Sequence, residues 1–551
     1  METTLNTEQA TKSLIDSLKQ ACMSAGLGNS GNDYKIIVQV FLYKFFNDRF
    51  GYEAKRSPCY GERLARAAKW DAEYDTFTDA EVEDLFTYLP PTCPRMKPIH
   101  TIAHLYNAAQ QGDFATLFDS TLADIAALNA DIFSIQTSSR TNVPIFDREL
   151  IRSSVTDSDK CDGFALALCR HIADPNANFE PMFAETYDFF SVIFEYISRD
   201  YNRDGGSVYA EYYTPRSIAR IIARLLVGRD RDIRSASCYD PSAGSGTLVL
   251  ALAHEIGERR ASIYTQDISQ KSTQMLRLNL ILNGLAESLH NAVEGDTLKR
   301  QAHRAEDGTP KKFDYITSNP PFNLDFSDIR DDLAADTSRF WAGVPAASGK
   351  DLKKMKIYLC FVQHVLNCLS EKGKGAIIVP TGFITSKMGI EQKILKRIVD
   401  THVVSGCISM PSNLFATTGT NVSVVFFDNS RRTEKVVLID ASKLGEKRKE
   451  GKNQRTFLSE EEIDQIVETF IEAKAVEGFS VTVTHDEIAA KGYSLSAGQY
   501  FDVKIEHIDI TPEEFQSRLA DYESELKAIN DEAAALDREI AAALGELKME
   551  N

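Results

Sequence analysis

The segment Ser318-Asn319-Pro320-Pro321-Phe322 carries the most legible chemistry in the sequence. It follows Phe313-Asp-Tyr-Ile-Thr-Ser318, a run of strand length and strand composition. Proline has no N–H, and a residue ahead of a proline is held extended, so this backbone presents carbonyl acceptors alone. The Asn319 side chain adds a further carbonyl. Two acceptors that converge on one spot grip both hydrogens of a planar –NH2 group. The lone pair of such an amine is delocalised, which makes it a poor nucleophile. Hydrogen bonds from both N–H groups favour the pyramidal form, in which the lone pair is localised. The same acceptors stabilise the positive charge that develops on nitrogen as it attacks an electrophile. Phe322 offers a flat face for the ring that bears the amine. Adenine, cytosine and glutamine all carry a group of this kind. Taken alone, the segment also reads as a proline turn that ends a strand.

A second cluster lies upstream, Asp240-Pro-Ser-Ala243-Gly244-Ser245-Gly246, between a candidate strand and a candidate helix. In a doubly wound sheet, the first turn of this kind brings backbone close to a ligand at the carboxyl ends of the strands. Asp267 follows Gly246 by 21 residues, at the end of the next candidate strand. An acid at that distance accepts hydrogen bonds from ribose hydroxyls. The turn lacks the G-x-G-x-x-G spacing and the Walker lysine, which disfavours a dinucleotide or a nucleoside triphosphate. It suits a nucleoside without phosphate, such as S-adenosylmethionine (SAM).

These residues need a scaffold. Strand-like runs at 235–240, 261–267, 313–318, 375–380, 403–408 and 422–427 alternate with helical periods, among them 357–369, and predict a parallel, doubly wound α/β sheet. Residues 1–170 read as helical throughout, with one helix over 34–50 capped by Asn32-Asp33 and others over 101–110 and 120–131. From Pro512 the tail is helical, and Leu519, Tyr522, Leu526, Ile529, Ala533, Leu536 and Ile540 form a heptad seam suited to a partner helix. Two basic stretches, 351–356 and 443–455, read as loops, either solvated or facing a polyanion.

Composition sets further limits. At 551 residues the chain is large enough for about three domains. Nine cysteines without a C-x-x-C pair argue against a disulfide framework or a zinc ribbon, and no metal site is legible. The N-terminus carries no signal-peptide pattern, and no apolar run reaches membrane-spanning length, so a soluble, cytoplasmic protein without membrane partners is expected. The net charge of −18 is unlike that of a protein that holds DNA unaided.

Glu211-Tyr212-Tyr213-Thr214-Pro215-Arg216, the glycine turn and Asn319-Pro-Pro-Phe322 occur in the order seen in N6-adenine methyltransferases. The whole chain resembles the modification subunit of a type I restriction–modification system. Residues 34–48 are similar to that family's N-terminal helical domain, and 373–380 and 410–421 to its later sheet segments. The basic run at 351–356 departs from the family, where a more neutral or acidic entry is expected. The resemblance implies a Rossmann-like SAM-dependent methyltransferase sheet over 171–480, an all-α domain over 1–170, and a C-terminal segment, 481–551, with a coiled-coil-like tail for subunit docking. It implies that the 211–216 segment binds SAM, with Tyr212, Tyr213, Thr214 and Pro215 at the methionine end and Glu211 and Arg216 beside them. Asp240, Ala243, Gly244, Ser245 and Gly246 would form the turn beneath the cofactor, Asp267 would hold its ribose, and Asp296 would sit near its adenine. Asn319, Pro320, Pro321 and Phe322 would receive a flipped-out adenine of DNA. The implied partners are a specificity subunit flanked by two copies of this chain, and a restriction subunit. A partner that holds DNA accounts for the acidic balance. The remaining readings are a non-catalytic SAM-binding scaffold, a stand-alone adenine or N4-cytosine methyltransferase, and a glutamine methyltransferase. For Asp296, a turn cap is the plain structural alternative.

Overall fold

A computed structural model describes residues 2–28, 32–110, 112–133, 135–136, 142–155, 157–183, 196, 214–230, 232–346, 352–415, 421–430, 435–450, 453–501 and 511–547. Two compact units emerge, residues 1–500 and 501–551.

The first unit is organised by a nine-stranded sheet. Its strands are β1 (Ala236–Asp240), β2 (Ala261–Asp267), β3 (Ala292–Glu294), β4 (Phe313–Ser318), β5 (Leu369–Pro380), β6 (Val404–Ser409), β7 (Val422–Asp428), β8 (Lys435–Asp440) and β9 (Ser480–Thr484). They lie in the order β9-β8-β6-β7-β5-β4-β1-β2-β3. From β1 the chain winds outward through β2 to β3, then returns to place β4 on the other side of β1. Right-handed crossovers run in opposite directions from this point, which puts their helices on opposite faces of the sheet. The gap between the carboxyl ends of β1 and β4 is therefore the switch-point crevice of a doubly wound fold.

The sheet is mixed where a parallel one was expected. β7 runs antiparallel to both β5 and β6, and β9 antiparallel to β8. The cause is local: between Ser409 and Val422 no helix occurs among the described residues, and Met410 N–H already bonds Val422 C=O at 3.0 Å. A strand that turns straight back pairs antiparallel. The central strands are buried on both faces, as Ala376–Val379 and Val422–Phe427 illustrate, which explains their continuous apolar runs. The 443–455 stretch, expected as a loop, is an antiparallel ribbon of Glu446–Glu450 with Asn453–Phe457.

The helical N-terminal region is centred on Asn32–Ala54, four residues longer than expected at its C-terminal end. Ile36, Ile37, Val40, Phe41, Phe46 and Phe50 along it are fully buried, each side chain contributing about 1.5–3 kcal/mol. A buried Lys44–Asp48 pair (2.9 Å) on the same helix also receives Phe179 N–H on Asp48 Oδ2 at 3.0 Å. The region is not purely helical: Ile135–Gln136 and Asn142–Val143 form a short antiparallel ladder. The second unit contains one long helix, Pro512–Leu547, on which Leu519, Tyr522, Leu526, Ile529, Leu536 and Ile540 are exposed. Among the described residues, no helix is long and apolar enough to cross a membrane.

Gly246 shows how tightly the crevice is built. It starts helix Thr247–Ile256 at φ +87°, and a Cβ there would lie 2.2 Å from Leu276 Cδ1 on the neighbouring helix Gln270–Leu282. Gly246→Ala should therefore cost about 2–4 kcal/mol, from the left-handed backbone together with overpacking. Urea unfolding checks this, and a midpoint equal to that of the wild type would show that the turn tolerates a side chain.

Candidate active site

The motifs picked out in the sequence meet at the switch point. At the end of β1, the Asp240 carboxylate is buried; Oδ1 accepts from Ser242 N–H (2.9 Å), and Oδ2 accepts from the Thr317 hydroxyl at the end of β4 (3.2 Å). One step further along, the hydroxyls of Ser242 and Ser318 are 2.8 Å apart. Two polar bridges thus join the glycine turn to the strand that delivers Asn319. Burial is the main influence on Asp240 and pushes its pKa up to about 8; the charge of Asp267 adds to this, and the bonds from Ser242 and Thr317 oppose it.

The turn itself is held open by its glycines and by Asp267. Gly244 adopts φ +53° and donates its N–H to Asp267 Oδ2 at 2.8 Å, and Ser269 N–H bonds Oδ1 at 2.8 Å. Burial raises the Asp267 pKa, and these two N–H bonds act against the rise. Each carboxylate oxygen keeps a lone pair for another donor. Ser245 C=O accepts from Asn279 Nδ2 (3.1 Å), tying the turn to helix Gln270–Leu282, and Ala243 is buried beneath it. Next to Asp267, Ile268 holds an aliphatic side chain 69% exposed at the edge of the crevice. The sequence analysis passed over Ile268; its signal was an apolar residue directly after a strand-ending acid.

Asp296 caps the turn that follows it, with Oδ1 accepting from Leu298 N–H (2.9 Å) and Lys299 N–H (3.1 Å). Its loop is fastened to the site from two sides. The Thr297 hydroxyl donates to Pro241 C=O at 2.7 Å, and buried Arg339 donates to the carbonyls of Thr297 (2.7 Å) and Leu298 (2.8 Å). A third donation from Arg339, Nε–H to His364 Nδ1 (3.1 Å), leaves His364 Nε2–H facing the Tyr239 hydroxyl at 3.2 Å. Burial lowers the Arg339 pKa and holds His364 far below its usual range, so the imidazole is neutral. Nothing in the local sequence marks Arg339, because its partners come from distant segments.

Asn319 is buried after β4, and its Nδ2–H donates to Thr214 Oγ at 3.0 Å. This bond turns the amide so that Oδ1 faces away from Thr214, and no donor to Oδ1 occurs among the described residues. Pro320 is buried, Pro321 is half-buried, and half-buried Phe322 packs edge-on against Tyr358 with ring centroids 6.2 Å apart. Thr214, expected at the methionine end of a cofactor, is thus seen supporting Asn319. Pro215 precedes helix Arg216–Val227, whose first residue is Arg216. Glu211, Tyr212 and Tyr213 lie outside the described residues, as does Asp351 of the 351–356 run. In the rest of that run Met355 is buried and its C=O accepts from Leu324 N–H at 3.1 Å, while Lys353, Lys354 and Lys356 are exposed.

Comparison with known proteins follows the same residues. Residues 185–508 match the family described as N-6 DNA Methylase. The chain is 30% identical over 327 residues to the type I restriction enzyme MpnII methylase subunit of Mycoplasma pneumoniae, covering 58% of this chain and 58% of that protein. It is 26% identical over 538 residues to the MjaVII methylase subunit of Methanocaldococcus jannaschii, covering 94% of this chain and 83% of the relative. A solved type I restriction–modification methyltransferase subunit from Streptococcus thermophilus superposes with a TM-score of 0.66 at 20% identity, over 91% of this chain and all of the other.

Asp240 gives the site a pH signature. Its folded pKa of about 8 lies above the unfolded value near 3.8. Between those values the unfolded chain releases a proton that the fold retains, so stability falls as pH rises from 4 to 8 and levels off above. Asp240→Asn removes this contribution. The variant should gain on the wild type by a few kcal/mol in denaturant midpoints taken across that range. A gap that stays constant with pH would mean that Asp240 is ionised throughout.

Proposed function

The chain belongs to the N-6 DNA methylase family, and on that footing we propose that it transfers the methyl group of SAM to the N6 amine of an adenine in DNA, as the modification subunit of a type I restriction–modification complex. The observation that carries this reading is the Asn319 amide, oriented by Thr214 in an acceptor-only backbone and bridged to the glycine turn through Ser318 and Ser242.

The residues around the turn fit SAM better than a phosphate ligand. Gly244 and Gly246 place no side chain over the crevice, and Asp267 keeps acceptor capacity for ribose hydroxyls. Asp240 shapes the turn, Ala243 and Ser245 form its floor, and Ile268 would cover one face of the cofactor's adenine. Asp296, as the cap of its loop, would present its remaining oxygen to that base. Tyr212, Tyr213, Thr214 and Pro215, with Glu211 and Arg216, would close the methionine end. When bound, SAM supplies an electrophilic sulfonium methyl.

The chain's own part is to prepare the amine. Asn319 Oδ1 and the Pro320 carbonyl accept its two hydrogens, localise its lone pair and stabilise positive charge on nitrogen. Pro321 keeps that carbonyl extended and Phe322 stacks on the base, which must leave the duplex to reach the pocket. Fixed orientation supplies much of the remaining acceleration.

For its organisation we infer a helical domain over 1–170, a catalytic region over 171–480 and a docking segment over 481–551. The exposed seam on Pro512–Leu547 would pack on helices of a specificity subunit that two copies of this chain flank, with a restriction subunit joining them.

Methyl transfer from tritiated SAM to plasmid DNA, with nucleosides identified by mass, tests the reaction, run with and without the specificity subunit. N6-methyladenine should form, and Asn319→Ala should lower kcat by roughly 100-fold or more, in the range seen when one oriented charge-stabilising group is lost. Thr214→Val should lower kcat by roughly 5-fold, since one supporting hydrogen bond is worth about 1 kcal/mol. N4-methylcytosine as the product would change the acceptor; SAM binding with no methylated nucleoside in either mixture would leave a scaffold. Separately, removal of residues 512–551 should abolish assembly with the specificity subunit in size-exclusion chromatography, and full complex formation would sink the docking role.

A further inference from the structure

The ribbon formed by Glu446–Glu450 and Asn453–Phe457 lies in a basic stretch of an acidic chain. Residues 443–455 carry six basic and two acidic side chains, against a net charge of −18 overall. Its place follows from strand direction. β8 is parallel to β6, β6 and β5 are each antiparallel to β7, and β5 is parallel to β4. The carboxyl end of β8 at Asp440 therefore lies on the same sheet edge as Ser318-Asn319, and the ribbon begins just beyond it. The returning strand is anchored to that edge, with Thr456 N–H bonding Asn413 C=O (3.0 Å) and the Thr456 hydroxyl bonding Ser412 C=O (2.7 Å).

The ribbon is built to be stiff. Glu462 holds both of its legs: Oε1 accepts from Gly445 N–H (2.7 Å) and Oε2 from Ser459 N–H (2.8 Å). Gly445, at φ +88°, lets the legs approach so closely that a Cβ would lie 2.5 Å from Thr456 Cγ2. On this frame Arg448 and Arg455 stand directly opposite each other, and both guanidinium groups lie within 6 Å of the ring of Phe457, which is 39% exposed. Lys447 and Lys449 are exposed on the other face. Arg448 is paired with Glu446 at 2.6 Å, which offsets part of the cost of two like charges facing each other across the ladder.

We propose that this ribbon grips the phosphate backbone of duplex DNA at the same end of the sheet as the catalytic crevice, four strands away from β4, an inference that rests on the DNA-methylating function given above. Phosphate neutralisation is the dominant source of affinity for DNA and needs no base reading. A local cationic ribbon on the active edge supplies it to a chain whose overall charge opposes DNA. The plain alternative is a charged edge that discourages sheet-to-sheet aggregation, which carries no preference for DNA.

The test is binding of the full chain to a fluorescent duplex of about 30 base pairs, by anisotropy, between about 50 and 200 mM salt. The variants are Lys447→Gln with Lys449→Gln, and Arg448→Gln with Arg455→Gln. These side chains are at or near the surface, so the melting temperature should not move. The slope of log K against log salt should shrink by about 1 for each cation that meets a phosphate, so one or both pairs lose about 1–2. Slopes equal to that of the wild type in both variants, or a wild-type chain that binds no duplex at the lowest salt, would overturn the ribbon's role. Methyl transfer by the same preparations in the presence of the specificity subunit is scored separately, so failure of the ribbon and failure of the DNA-methylating reading are told apart.

Discussion

Two hydrogen-bonded bridges, Asp240 to Thr317 and Ser242 to Ser318, continue the pairing of β1 and β4 past the last backbone ladder contact at Tyr239 and Ile316. Everything chemical in the molecule is arranged about that junction. The glycine turn hangs from β1, the acceptor segment from β4, and Asp267 reaches across from β2 to fix Gly244. A switch point leaves a crevice because the crossovers diverge there. It becomes a site with defined geometry when polar contacts set the width of the crevice. The cost is a carboxyl group buried against its preference for water, which is why Asp240 titrates so high.

The same logic extends one layer outward. Arg339 is buried, and its guanidinium donates to two backbone carbonyls and a neutral imidazole. Carbonyl dipoles compensate a buried guanidinium less well than a carboxylate would, so the arrangement depends on all three bonds being made. Its effect is to lock the loop from Gly295 to Leu298 onto Pro241 and the helix that carries His364. The site is thus supported from beneath by residues whose chemistry takes no part in any reaction.

These supports mark the limit of what the sequence discloses. β2 and β4 were readable to the residue, because each is a short run rich in β-branched and aromatic residues that ends in polar ones. The glycine turn and Asn319-Pro-Pro-Phe322 were readable because their backbone chemistry is local: positive φ in one, missing N–H groups in the other. β3 was missed because three residues carry no period, and β8 and β9 lie beyond the run of strands that the alternation with helices picks out. The antiparallel β7 goes with a 410–421 connection in which no helix occurs among the described residues. The basic ribbon read as a loop because its alternation is of charge with charge, and strand patterns are recognised by apolar residues. Arg339, Thr214 beneath Asn319, and Glu462 holding the ribbon were invisible for a common reason, since each acts on segments far away in the chain.

Thr214 joins the two motifs most separated in function. Its segment was assigned to the cofactor and Asn319 to the base, yet the two side chains are hydrogen-bonded. An asparagine amide that is free to rotate offers a donor as readily as an acceptor, and a donor aimed at an amine would repel its hydrogens. With Nδ2 occupied, the carbonyl is the group left to face the substrate, so its polarity is set before any ligand arrives. Preorganised dipoles of this kind stabilise developing charge without reorganising during reaction. The segment that is expected to close over the cofactor therefore also sets the acceptor that prepares the amine, and the two halves of the reaction share one structural element.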